Sequence, residues 1–127
     1  MRINSAKDLT VYQKAFELGK LAFELTLRFP REEIYALTSQ LRRSSRSICL
    51  NLREAWAKRR YRAHFVSKLT DCDGESNETD TALDFALVHG YITEEDHRRA
   101  AGLCCEVGKM LGAMIQNPEP FLLADTM

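Results

Sequence analysis

Long stretches of this chain contain no helix-breaking residue, and this feature limits its possible folds more than any other. Proline occurs only at positions 30, 118 and 120, and no Asn-Gly pair, a strong β-hairpin signal, is present. Within the stretches between the prolines, apolar residues recur every three or four positions, which is the period of an amphipathic helix. Residues 9–29 carry two adjacent apolar stripes, which predicts a wide contact face. The expected core stripe of the second helix is Leu37, Leu41, Ser44, Ile48, Leu52 and Ala55. The expected seam of the third helix is Phe65, Leu69, Cys72, Ser76, Thr79, Leu83 and Ala86. The sequence therefore predicts an all-α protein.

Four helices account for the apolar pattern, and a tail that cannot continue the last helix follows them. The expected helices cover about residues 9–29, 33–57, 61–89 and 93–116, and the non-helical tail covers 117–127. A length of 127 residues is typical of one domain. We therefore expect a single four-helix domain, 1–127. The apolar side chains of the tail need a groove on this chain or on a neighbour.

Residues with known capping preferences mark several helix ends. Asp8 is a candidate N-cap for the first helix, and Pro30 should stop that helix. Gly90 is typical of the position that follows a helix C-terminus. Thr93 followed by Asp96 three residues later resembles a capping box, which predicts the start of the fourth helix.

The boundary between the second and third helices carries no breaker. An unbroken helix from residue 33 to residue 88 would be about 80 Å long, which is too long for one domain of this size. The segment from Lys58 to Arg62 concentrates like charges. We therefore expect the chain to turn there.

The charges are segregated although the net charge is zero. Nine Lys or Arg and one acid, Glu54, lie between positions 42 and 68, whereas nine acids and no Lys or Arg lie between positions 71 and 96. Each block can serve two purposes. The basic block can bind phosphate, or it can pair with the acidic block on an adjacent helix.

Both interpretations of the basic block name specific residues. Phosphate binding would use seven cations, with Tyr61 and His64 available to stack on bases: Arg42, Arg43, Arg46, Lys58, Arg59, Arg60 and Arg62. In the second interpretation, the second and third helices are antiparallel neighbours. Arg42, Arg46 and Arg53, which lie within about 40° of one another on a helical wheel, then pair with acids of the third helix. A plain solvated turn is the alternative for residues 58–62.

Four polar residues are candidates for the interior of the bundle: Asn51, Glu54, Asn77 and Glu78. Buried polar side chains in helical bundles usually hydrogen-bond across helices and fix their register. We therefore interpret these four as a structural polar core. A ligand or catalytic pocket is the alternative, since buried carboxylates have altered pKa values.

Other functional classes have little support. The sequence has no nucleophile elbow, glycine-rich phosphate loop or His-Glu-x-x-His motif, so we expect no enzymatic activity. His64, His89 and His97 do not form the repeated Glu-x-x-His pattern of metal-binding bundles, and the adjacent Cys104 and Cys105 point about 100° apart. We expect no metal and no cofactor.

The cellular context is also suggested by composition. The N-terminal segment, residues 1–10, is not an apolar signal, and no apolar run approaches the about 20 residues of a membrane span. The four cysteines show no Cys-x-x-Cys spacing, so reduced thiols are expected. A cytoplasmic protein that does not enter a membrane is the expectation.

Several segments together resemble one bacterial family. They are DLTVYQKA at 8–15, FP at 29–30, YALTSQLRRSSRSICLNLREAW at 35–56, NETDT at 77–81 and HGYI at 89–92. The chain resembles, over about residues 8–116, the four-helix-bundle family of proteins encoded in intervening sequences of 23S rRNA genes. That family includes the accessory proteins of diversity-generating retroelements.

The resemblance implies an antiparallel up-down four-helix bundle that assembles into a barrel-like homopentamer, and it implies a nucleic-acid or reverse-transcriptase partner. Together with the basic block, it favours a non-enzymatic, homo-oligomeric accessory protein that associates with RNA or DNA. The alternative is a protein-interaction scaffold without nucleic acid, which the zero net charge and the apolar tail favour.

Overall fold

The structure is a computed structural model that describes residues 3–124 and shows four α-helices in this range. They are α1 (Thr10–Thr26), α2 (Leu37–Ala57), α3 (Arg62–Val88) and α4 (Glu94–Gln116). Short 3₁₀ turns occupy Ala6–Asp8, Arg31–Glu33 and Glu119–Phe121. The described part of the chain contains no strand, which confirms the all-α class.

The helices form a ring in which each one packs against the next and α4 closes against α1. Arg43, near the start of α2, pairs with Glu78 in the second half of α3. Glu54, near the end of α2, pairs with Lys68 near the start of α3. These two ion pairs show that α2 and α3 are antiparallel. Pairs at both ends of α1 show the same for α1 and α4: Lys14–Glu106 and Arg28–Asp96.

The core consists of the apolar stripes that the helical period predicts. The stripe on α2 is buried from end to end: Leu37, Leu41, Ser44, Ile48, Leu52 and Ala55. The seam on α3 is buried in the same way: Phe65, Leu69, Cys72, Ser76, Thr79, Leu83 and Ala86. Burial of such stripes supplies most of the stability of helices in a bundle.

The first two helices are shorter than the apolar pattern suggests. α1 ends at Thr26, before the predicted end near residue 29, and α2 begins at Leu37 instead of near residue 33. The intervening chain turns at Pro30 and then forms the 3₁₀ turn Arg31–Glu33. Phe29 is buried outside the helix, so its apolar side chain serves the core without extending α1.

The prediction that Asp8 caps α1 is wrong. Asp8 belongs to a capping box one turn earlier, where its carboxylate accepts hydrogen bonds from the N–H groups of Asn4 at 2.9 Å and Ser5 at 3.1 Å. Leu9 then takes an extended conformation and occupies the N-cap position of α1 without a side-chain cap. Because the Asp8 carboxylate binds the N–H groups of Asn4 and Ser5, it does not cap α1.

The ends of α3 and α4 confirm their predicted caps. Gly90 has a φ of 76° and follows the C-cap of α3. The N–H groups of Gly90 and Tyr91 donate to the carbonyls of Leu87 and Ala86, which is the Schellman pattern. At the start of α4, Thr93 and Asp96 form the reciprocal capping box. The positive φ explains why glycine occupies this position.

The tail packs on the same chain. Pro118 is buried, and the Phe121 ring lies 6.4 Å from the ring of Phe65, centroid to centroid. The N–H of Leu123 donates to the carbonyl of Arg59 at 3.3 Å. Phe121 and its neighbour Leu122 therefore cover the end of the bundle at the α2–α3 turn. The last three positions of the predicted tail, 125–127, lie outside the described residues.

Candidate nucleic-acid interface

The chain turns between α2 and α3 at residues 58–61, as the charge density predicts. We call residues 58–64 the basic tip. Lys58 and Arg60 are exposed, and neither forms an ion pair with any residue in the range 3–124. Tyr61 is 59% exposed, and its ring lies 5.5 Å from that of His64. The tip thus presents cations and aromatic rings together.

Two other cations of the basic tip have partners. The Arg59 guanidinium lies 4.0 Å from the ring centroid of Trp56 and donates to the Trp56 carbonyl at 3.0 Å. Arg62 pairs with Glu119 of the tail, and both side chains are more than half exposed. Such a solvated pair contributes at most about 1 kcal/mol, so a phosphate can replace Glu119. Arg59 is instead held against the indole.

The other three predicted phosphate ligands lie elsewhere. Arg42 lies in α2, and Lys58 follows the last residue of that helix. The sixteen positions between them correspond to about 24 Å along the helix axis. Arg42 donates to the Thr26 hydroxyl at 2.7 Å, and its guanidinium lies 4.7 Å from the Phe23 ring centroid. Arg46 also lies over Phe23, at 5.8 Å. The structure therefore does not bring the seven cations into one site.

The predicted pairing of Arg42, Arg46 and Arg53 with acids of α3 is wrong. Arg42 and Arg46 face α1, and Arg53 forms no ion pair with the described residues. Arg43 makes the contact instead, with Glu78 and with Glu75 at 3.3 Å. Consecutive helical residues differ by about 100°, which places Arg43 and not Arg42 on the α3 side.

The predicted polar core does not form at the four named residues. Glu54 and Asn77 are exposed, Glu78 is half-buried beside Arg43, and Asn51 donates to Ser47 of its own helix at 3.0 Å. All four lie beside the core stripes and not on them. Buried polar groups occur on the stripes themselves, where Ser44 of α2 and Thr79 of α3 share a hydrogen bond of 2.9 Å. Nothing in the sequence indicated that the hydroxyls of Ser44 and Thr79 would contact each other across the two helices.

The half-buried Lys68 pairs with the exposed Glu54 next to the basic tip. The Lys68 amine, 2.6 Å from the carboxylate, holds the pKa of Glu54 below its usual value. Hydrogen bonding to Glu54 and then to Asp71 raises the pKa of Lys68. Both groups stay charged across the neutral range. The pair therefore joins α2 to α3, and Lys68 does not add to the free positive charge of the tip.

The cysteines differ sharply in accessibility. Burial raises the pKa of the Cys72 and Cys104 thiols to about 12 and that of Cys49 to about 11, whereas Cys105 is exposed. Only the thiolate is a strong nucleophile.

We expect iodoacetamide at pH 8 to modify Cys105 alone in the folded protein and all four cysteines in guanidinium. Intact-mass spectrometry measures the number of adducts. Rapid modification of a second thiol in the folded protein would show that the core opens locally. A Cys105→Ser variant is the control and should remain unmodified.

Residues 3–124 contain no cluster of three or more His, Cys, Asp or Glu side chains suited to a metal ion. No helix within them is both long enough and apolar enough to cross a membrane.

An apolar groove between α1 and α2 is a second feature, and the sequence reasoning missed it. The groove has a volume of about 560 Å³ and is lined mainly by apolar and aromatic side chains, including Tyr12, Phe16, Gly19, Phe23, Cys49 and Leu50. Phe16 is 54% exposed and Leu50 is 65% exposed. The signal was the second apolar stripe of α1, which predicted a wide contact face but not that half of this face would remain uncovered.

Comparisons with known proteins agree with this architecture. The chain is similar to a Bacteroides thetaiotaomicron protein of unknown function from the S23 ribosomal protein family, whose crystal structure was determined at 1.70 Å. The TM-score is 0.77 at 29% identity, over 85% of this chain and 100% of the other. A search of curated proteins found no match. Residues 7–113 match the model of the 23S rRNA-intervening sequence proteins, and the chain therefore belongs to that family.

Proposed function

We propose that the protein is a non-enzymatic, homo-oligomeric helical bundle that acts in the cytoplasm as a nucleic-acid-associated accessory protein. The basic tip is the contact surface, and its phosphate ligands are Lys58, Arg60 and Arg62. The observation that carries this proposal is the exposure of Lys58 and Arg60 beside an exposed aromatic residue, Tyr61. Phosphates are neutralised by such cations, and bases stack on such rings.

Oligomerisation strengthens the proposal, because one tip offers few cations. A single tip has two cations that form no ion pair within residues 3–124 and one exchangeable arginine, which give weak binding on their own. In a homopentamer, five identical tips would engage one nucleic acid together, and each contact after the first would be intramolecular. A neutral chain can then bind RNA or DNA through a local concentration of positive charge. The family membership supports the same function.

The non-enzymatic part is supported by the chemistry of the titratable groups. Burial raises the pKa of the Cys72 and Cys104 thiols, which suppresses their nucleophilicity at neutral pH. Glu54 and Asp96 have pKa values lowered by partners that hold their charge, and neither carboxylate lines the groove. These properties are typical of structural groups. Asp80, whose pKa is raised by burial and by the nearby Asp84, also lies outside the groove. The four free thiols also fit a reducing compartment.

The test is a titration of a fluorescent structured RNA, and separately of duplex DNA, at 50 mM and 200 mM salt. We expect binding at 50 mM that weakens several-fold at 200 mM, because counterions are released from the phosphates. The variant Lys58→Glu/Arg60→Glu should bind at least about tenfold more weakly at 50 mM. The control Lys7→Glu/Lys109→Glu changes the net charge equally at two exposed sites outside the tip.

Two results would contradict nucleic-acid binding through the tip. One is no binding of either nucleic acid by the wild-type protein at 50 mM salt. The other is an equal loss of affinity in the two charge-reversal variants, which would mean that only the overall charge matters. Light scattering tests the oligomer separately. A homopentamer has about five times the chain mass of 14.5 kDa, and a mass near 14.5 kDa would exclude it.

The exposed apolar groove favours a second candidate function, a protein-interaction scaffold without nucleic acid. Apolar surfaces that are concave and rimmed by charge typically bind other proteins. Affinity purification with and without nuclease separates the two functions. Nuclease-sensitive nucleic acid with no protein partner would contradict the scaffold.

A further inference from the structure

Two exposed apolar surfaces lie on different faces of the bundle. The first is the groove between α1 and α2 described above. The second, which we call the α3 ridge, follows one stripe of α3 and consists of Gly74, Asn77, Thr81, Phe85 and Val88. Phe85 is 53% exposed and Val88 is 79% exposed. A contiguous exposed apolar patch rimmed by polar residues is typical of a surface that contacts another macromolecule.

The shapes of the two surfaces are complementary. The groove is concave, with a volume of about 560 Å³. On α3, the small residues of the ridge line a shallower depression of about 390 Å³, and the exposed side chains of Phe85 and Val88 lie at its end. A Cβ atom added at Gly74 would meet nothing within 4 Å, so no part of the described chain requires glycine there. Small residues on a helix allow another helix to approach closely, and the large side chains at the end of the ridge can fill a cavity.

The charges are complementary as well. The rim of the groove carries Lys20 and Arg46 against one acid, Glu24. The ridge lies in the acidic block, which has no Lys or Arg between positions 71 and 96. Asp73 and Asp84 flank it, and Asp84 contacts His97 at 2.8 Å. Opposite charges at the edges of an apolar contact orient the partners and exclude wrong ones.

From these observations we infer that the occupant of the groove is a second copy of this chain, which inserts its α3 ridge. Each copy then uses two different surfaces, so the contact is heterologous and repeats from copy to copy until a ring closes. This inference rests on the proposed homo-oligomer and assigns its interface. Phe85 lies about 35 Å along α3 from Arg62, so the contact leaves the basic tip free.

Complementation between two variants tests the assignment. Leu50→Glu places a charge in the groove and leaves the ridge intact, whereas Phe85→Glu does the reverse. Both positions are exposed, so both variants should keep the helical circular-dichroism signal. Each variant alone should have the mass of a monomer in light scattering. An equimolar mixture should form a heterodimer and nothing larger, because one intact groove meets one intact ridge.

Two further variants serve as a control and as a replacement. Tyr61→Glu changes an exposed aromatic residue outside both surfaces and should retain the wild-type mass. Phe16→Glu disrupts the groove from the α1 side and replaces Leu50→Glu if that variant fails to fold. It should complement Phe85→Glu in the same way.

The remaining outcomes overturn the inference in distinguishable ways. If Leu50→Glu is a monomer but Phe85→Glu keeps the wild-type mass, the groove pairs with another surface, such as a second groove. If both variants keep the wild-type mass, or if two monomeric variants fail to combine, the interface lies elsewhere and the proposed homo-oligomer stands. A monomeric wild-type protein removes the homo-oligomer itself and leaves the groove to a different partner.

Discussion

Replacing Phe65 by alanine is expected to lower the free energy of unfolding by about 3–5 kcal/mol. Phe65 is only 1% exposed and is one of the largest fully buried side chains. It lies in the first turn of α3, directly under Phe121 of the tail. Its removal takes apolar contacts from the core and leaves a cavity next to the ring of Phe121.

Urea denaturation followed by circular dichroism measures the change. Two variants serve as controls. Phe65→Leu keeps most of the volume and should cost less than about half as much, whereas Phe121→Ala removes a half-buried ring and should have an intermediate effect. A loss below about 1 kcal/mol for Phe65→Ala would mean that the tail and α3 collapse into the cavity, or that the tail does not pack as described.

Replacing Thr79 by valine is expected to lower the free energy of unfolding by about 1–3 kcal/mol. The Thr79 hydroxyl lies 2.9 Å from that of Ser44 and 2.8 Å from the Glu75 carbonyl, in a fully buried position. Valine has nearly the same shape and creates no large cavity. Stability is lost because the Ser44 hydroxyl stays buried without the hydrogen bond to the Thr79 hydroxyl.

A double-mutant cycle separates this hydrogen bond from packing. Ser44→Ala in the Thr79→Val background should cost much less than Ser44→Ala alone, because the second change removes the stranded hydroxyl. The two single variants and the double variant are measured by urea denaturation. Additive effects would show that the two hydroxyls do not interact. The position of the contact, between α2 and α3, also makes it a candidate for fixing the register of the two helices.

The helices and the core residues could be predicted because they depend on local patterns. Every position of the predicted α2 and α3 stripes is buried, including the small polar residues Ser44, Ser76 and Thr79. The buried seam of α3 also keeps the chain helical at a local turn signal. Asp73-Gly74 is a pair common in hairpin turns, yet it lies in the middle of α3, where Cys72 and Ser76 on either side are buried. Burial of the seam outweighs the local preference.

The side-chain partners could not be predicted to the same accuracy. A rotation of about 100° per residue separates Arg42 on the α1 side from Arg43 on the α3 side, so a small error in assigning faces changes the partner completely. The predicted polar core was wrong for the same reason, since its members lie one position beside the buried stripes. Spacing along one helix contains no information about how far each neighbour covers that helix.

The sequence by itself determined the helical class, the core stripes, the turn at the dense cations and the caps at Gly90 and Thr93. These depend on interactions within a few residues along the chain, or on a period that burial must satisfy. Only the tertiary structure decided which cations remain free and which apolar residues stay uncovered. Those properties depend on how neighbouring helices are rotated and how widely they are spaced. Within residues 3–124, Lys58 and Arg60 remain without an ion pair because the chain turns there, away from the acids of α3. Phe16 and Leu50 remain exposed because they line the groove between α1 and α2.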